Sequence, residues 1–123
     1  MVNTTDLEKI CQKIVNLDKK MRSARIINSR GHLIAGGMKN GILSLEQQKQ
    51  DEMLFMELAL RVRMRHEFDK EFGKVSFSMS YRDKVILMSF PLLNDDVLLI
   101  SSEKEINFGK IPFDILDLIA PLK

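Results

Sequence analysis

Apolar positions in this chain recur at helical spacing near both ends and in the middle, and at strand spacing in between. Leu7, Ile10, Cys11, Ile14, Val15 and Leu17 repeat every three or four residues. That spacing predicts a helix that opens at a Thr5–Glu8 capping box and runs to about Lys20. The residues from Arg25 to Gly36 read as a hairpin, with Ile26 and Ile27 in one arm and Leu33, Ile34 and Ala35 in the other. Asn28-Ser29-Arg30-Gly31 supplies its turn, with Gly31 suited to a positive φ. Gly36, Gly37 and Gly41 then read as a flexible exit.

Ser44 and Gln47 form a second capping box, and the pattern from Leu45 to Phe72 predicts one long helix ended by Gly73. Its first half is apolar nearly all the way round. At about 100° per residue, Leu54, Leu58 and Val62 fall on one side, while Met53, Met56, Leu60 and Met64 fall on another. A helix that covers one core needs a single apolar stripe, so two stripes imply burial on two sides. Beyond it, Val75, Phe77, Met79 and Tyr81 alternate with Ser76, Ser78 and Ser80, as in a half-buried edge strand. Val85 to Leu93 is almost wholly apolar, as expected of a central strand, and Val97 to Ser101 returns after Asn94-Asp95-Asp96. Pro112 opens a last helix, with Phe113, Ile115, Leu116, Leu118 and Ile119 on its apolar side, and Pro121 closes it.

The expected architecture is therefore an α/β chain of α+β type, in the order α-β-β-α-β-β-β-α, spanning residues 1–123 as one domain. Tight turns between strands make the five-stranded sheet antiparallel. Two helices should lie on one face and the long helix on the other.

The hairpin Arg25–Gly36, the helix Leu45–Phe72 and the meander Val75–Ser101 together resemble the roadblock/dynein light chain family, and more broadly profilin-like and longin-like domains. The stretches Arg61–Val75 and Phe90–Ser101 are also similar to small uncharacterised archaeal proteins. The resemblance implies a dimeric scaffold or regulator that pairs through the long helix and the adjacent edge strand. It also implies a protein partner such as a small GTPase, without catalytic residues brought by this chain.

Composition narrows the function classes. With 19 basic and 17 acidic residues the formal net charge is +2, which argues against wholesale nucleic-acid binding. The lone Cys11 excludes an internal disulfide and fits a reducing, cytoplasmic setting; its place in an apolar stripe reads as a small buried hydrophobe. No run reaches the roughly 18 apolar residues of a membrane span, and the first residues lack the features of a signal peptide. The sequon at Asn3 is therefore read as chance.

No G-x-S-x-G, H-E-x-x-H or phosphate-loop motif is present, so no catalytic residue, cofactor or metal is expected. Met53, Met56, Met64, Met79 and Met88 lack the spacing of a copper tract and read as core or interface. His32 and His66 read as surface residues. Asp95, Asp96, Asp114 and Asp117 read as turn and helix-start acids. The candidate interface residues are Met53, Met56, Leu60 and Met64 on the long helix, with Ser76, Ser78 and Ser80 on the edge strand. Arg61, Arg63 and Arg65 form a basic cluster that could hold an acidic partner, against the plainer reading of pairs Glu57–Arg61 and Arg65–Asp69 on a solvated face.

Three functions stand open on these residues. The first is a non-enzymatic homodimeric scaffold or regulatory module. The second is a small-molecule sensor with a pocket under the Gly36–Ser44 loop, which a stabilising metabolite would reveal. The third is a nucleic-acid-associated protein using the three arginines, which a salt-dependent shift of DNA or RNA would reveal.

Overall fold

A computed structural model describes residues 3–123. Helix α1 (Thr4–Val15) leads into strands β1 (Met21–Ile27) and β2 (Leu33–Met38). Helix α2 (Gln48–Arg65) passes through a 3-10 turn at His66–Phe68 into the short α3 (Asp69–Phe72). Strands β3 (Ser78–Tyr81), β4 (Ile86–Pro91) and β5 (Val97–Ser102) follow, then α4 (Ile111–Ile119). The five strands form one antiparallel sheet in the order β2-β1-β5-β4-β3.

The side chains of β1, β4 and β5 divide between two cores. Ala24, Ile26, Met88, Phe90, Leu98 and Ile100 meet Ile14 of α1 and Ile115 and Ile119 of α4 on one face. Ile27, Val97 and Leu99 meet Phe55 and Val62 of α2 on the other, with Leu54 and Leu58 packed at its margin. Two helices thus cover one face and the long helix the other, as the sequence pattern predicts. Strand β4 has a neighbour on each side and β3 lies at an edge, also as expected; the strand in the middle of the sheet is β5.

Local chemistry moves several boundaries. Helix α1 is capped by Asn3, whose side chain accepts the Asp6 N–H at 3.0 Å, rather than by a Thr5–Glu8 box. The Glu8 carboxylate instead accepts the Gly36 N–H of β2. The helix stops at Val15 because Asn16 closes it, leaving Lys20 before β1. At α2 the cap is Gln47, whose N–H donates to Gln50 Oε1 at 2.9 Å, while the Ser44 hydroxyl turns to Glu46. The long helix therefore begins three residues after Leu45 and is interrupted by the 3-10 turn before Gly73, at φ +79°, ends it. Strand β3 is shorter than the Val75–Tyr81 alternation, since ladder pairing begins at Ser78 opposite Ser89.

Gly36 and Gly37 are not a loop exit but paired residues of β2, opposite Arg25 and Ala24. Gly36 has φ +84°, and a Cβ there would lie 2.0 Å from the Ala24 carbonyl oxygen. Only glycine allows the strands this approach. Gly31, at φ +80°, adopts the left-handed turn expected of it, and its Cα faces the α2 backbone at Met56.

Candidate interaction surface on the long helix and edge strand

Helix α2 carries three rows of side chains with different surroundings. Phe55, Ala59 and Val62 are buried against the sheet. Met53, Met56, Leu60 and Met64 stand away from it, with 69%, 60%, 50% and 62% of their surface exposed. The third row, Leu54, Leu58, Arg61 and Arg65, runs along a groove between α2 and strands β3 and β4. Across that groove Ser78, Ser80 and Ser89 present small polar side chains. Ser76, the third candidate of the edge strand, is exposed and lies just before β3, in the wall of a neighbouring cleft of about 350 Å³.

The arginine cluster separates. Arg61 pairs with Glu57 at 3.2 Å, as its spacing predicts. Arg63 points to the other side of the helix and donates to the Ser29 carbonyl of the β1–β2 turn. Arg65 does not take Asp69: that carboxylate is held by His66 Nδ1 at 2.8 Å, while His66 Nε2 meets Asp95 at 2.8 Å. His66 thus lies at the surface but ties the end of α2 to the β4–β5 turn. Asn94 and Asp95 in that turn both have φ +62°, a conformation their short polar side chains tolerate. Hydrogen bonds to Asp69 and then Asp95 raise the His66 pKa above its ordinary value.

With this geometry in place, comparison with known proteins defines the family. A family of unknown function, DUF6659, matches residues 1–121. The chain belongs to DUF6659. Among curated proteins no sequence matches it. Among solved structures it is similar to a Roadblock/LC7 domain from Streptomyces avermitilis, with TM-score 0.69, 10% identity, and 93% of this chain and 94% of that one covered. It is also similar to MglB of Myxococcus xanthus, with TM-score 0.71, 14% identity and coverage of 95% and 94%. An MglB with tetrameric arrangement aligns at TM-score 0.75 and 10% identity, covering 99% and 91%. This DUF6659 chain therefore has the roadblock fold.

One residue of the DUF6659 chain escaped the sequence pattern. Arg25 in β1 is only 4% exposed, and its guanidinium meets Glu46 and Asp51, each at 3.3 Å. It also lies 5.1 Å from the centre of the Phe55 ring. Burial works to raise the Glu46 pKa, but hydrogen bonds from Ser44 and with Asp51, together with the Arg25 charge, bring it down to about 2. Asp51 moves up, through burial and then its bond with Glu46. The available signal was period two: counting back from Ile27 puts Arg25 and Ser23 on the α2 face. Cys11 is buried, and desolvation followed by the nearby Glu8 charge pushes its thiol up to about 12, as suits a small core hydrophobe. Among the described residues no helix is long and apolar enough to cross a membrane.

Proposed function

We infer that this protein is a non-enzymatic scaffold or regulatory module that works as a homodimer in the cytoplasm. The observation that carries the reading is the row Met53, Met56, Leu60 and Met64, four large apolar side chains at least half exposed on one side of α2. Contiguous apolar patches of this kind mark contact surfaces, and methionine suits adaptable ones. The edge strand β3 lies beside the same helix, with Ser78 and Ser80, and Ser76 just before the strand, small enough for a second copy to approach. A two-fold arrangement through helix and edge strand buries both features at once. The tetrameric arrangement of a similar MglB supports assembly between copies. The partner class consistent with the fold is a signalling protein such as a small GTPase.

Light scattering after size exclusion tests this reading. We expect twice the 14.2 kDa chain mass at tens of micromolar. The double variant Leu60→Glu/Met64→Glu should run as a folded monomer, because both positions point away from the core. A wild-type protein that stays monomeric overturns the proposal.

A second reading is favoured by one observation. An open cleft of about 580 Å³ lies under the β2–α2 loop, between Met38, Leu45 and Leu54 on one side and Arg82 and Leu87 on the other. Its size is that of a small-molecule site. A saturable rise in melting temperature with a metabolite, abolished by Leu54→Trp, would establish a sensor role.

A further inference from the structure

The groove between α2 and the β3 edge gathers more cationic charge than its surroundings neutralise. Arg61 and Arg65 enter from α2, one helical turn apart, and Arg82 enters from the end of β3. Period two along β3 places Ser78, Ser80 and Arg82 on the same face, and Ser78 pairs with Ser89 of β4. Leu54, Leu58, Leu87 and Leu99 complete the walls. Glu57 is the one carboxylate in the lining, and it is spent on Arg61. None of the ion pairs among the described residues includes Arg65 or Arg82.

Arg65 is the informative member. Its Nη1 is buried and has no hydrogen-bond partner. A buried guanidinium nitrogen left unpaired costs more than an ordinary missing hydrogen bond. A cation at a helix C-terminus also gains from the macrodipole, but that does not account for Arg82 and three serines lining the same groove; the covered Nη1 holds the Arg65 stem against the protein, and the rest of its guanidinium is what the groove can use. The serine hydroxyls can donate, and the guanidiniums only donate. The space itself is about 90 Å³. That matches about three waters at ~30 Å³ each and falls well below the ~300 Å³ of the smallest ordinary ligand pockets. A compact acceptor with several oxygens fits it; an extended organic ligand does not.

We propose that this groove is a binding site for a single tetrahedral oxyanion, a phosphate group carried as inorganic phosphate or as a monoester. Two uncompensated cations, Arg65 and Arg82, match the roughly −1.5 to −2 charge of a phosphate monoester near neutral pH. Ser78, Ser80 and Ser89 donate to the remaining oxygens, and the leucine walls keep the local dielectric low, which strengthens each contact. The site uses a different row of α2 from Met53, Leu60 and Met64, but it shares Ser78 and Ser80 with the proposed edge-strand contact.

Titration calorimetry on the full chain at constant ionic strength tests the site, with inorganic phosphate and O-phosphoserine as separate probes. Constant ionic strength keeps the general screening of exposed charges the same in every titration. Saturable binding of both probes with equal affinity identifies the free ion as sufficient; tighter binding of O-phosphoserine identifies the monoester as the natural form. Arg65→Gln and Arg82→Gln should each weaken binding by about tenfold or more, the loss of one charge-assisted hydrogen bond. Arg82 is exposed, so its variant keeps the test valid if Arg65→Gln fails to fold. Absence of binding to either probe, or binding unchanged in Arg82→Gln, overturns the proposal. Light scattering on the same samples reads the dimer independently, so either claim can fail alone.

Discussion

Arg25 shows how one side chain can tie a loop, a helix and a sheet together. It is buried under the start of α2 and takes both Glu46, before the helix, and Asp51, inside its first turn. Removing one partner of a buried pair leaves the others uncompensated, so Arg25→Met should cost about 3 kcal/mol, measured by urea unfolding. The depressed Glu46 pKa gives a sign for acid. Its stabilisation is complete above the ordinary carboxylate range and is lost as pH falls toward about 2. The Arg25→Met variant should lose only the smaller share that the Arg25 charge supplies, because the bonds from Ser44 and with Asp51 remain to hold Glu46 down. His66 has the opposite sign. Its pKa is raised in the fold, so its contribution is full below the ordinary histidine value and fades as pH rises through the raised one. Wild type should therefore lose stability relative to His66→Gln as pH rises from the ordinary histidine value through the raised one, with a small amplitude because the imidazole is half exposed. Spacing gives the face of Arg25 but not its partners, and it reads His66 only as a surface residue; both roles appear once acids from distant segments, Glu46 and Asp51 or Asp95, arrive beside them.

Among the elements, helix α2 and strand β2 depart furthest from a purely local reading. The all-round apolar pattern of α2 was legible, and so was its C-terminal glycine. The 3-10 turn at His66–Phe68 was not, because its residues remain compatible with a helix and the turn coincides with the clamp on Asp95. Gly36 and Gly37 suggested a loop, yet they are strand residues: Gly36 is what allows β2 to lie against the Ala24 carbonyl, while Gly37 has open space around it. This contrast can be measured. Gly36→Ala forces a Cβ to 2.0 Å from an oxygen at a left-handed φ, whereas Gly41, with φ +80°, has open space around it. Gly41→Ala should cost only the left-handed penalty of about 1–2 kcal/mol, and Gly36→Ala clearly more, both read from denaturant midpoints. Strand β3 marks another limit: alternation begins at Val75, but Phe77 is engaged by Phe90 and Phe113 before the ladder starts at Ser78.

For the assembled protein, the exposed methionine row makes an association-linked stability the main expectation. If two copies pair through α2 and β3, mass action stabilises the folded dimer, and the melting temperature rises with protein concentration. The Leu60→Glu/Met64→Glu variant should show no such dependence in scanning calorimetry. The helix and strand order, the face each element buries and the edge position of β3 follow from periodicity, because a repeat of 3.6 or 2 residues states directly which side must leave water. Such local patterns do not say which distant strands pair. The neighbouring of β1 and β5 joins segments at opposite ends of the chain and places β5, not β4, in the middle of the sheet. The separation of Arg63 from Arg61 and Arg65 already follows from helical spacing, whereas the same long-range packing buries Arg25 and brings Arg82 and three serines opposite the end of α2. Those outcomes depend on charges and shapes supplied by segments far apart in sequence, and they exist only once the sheet has closed around β5.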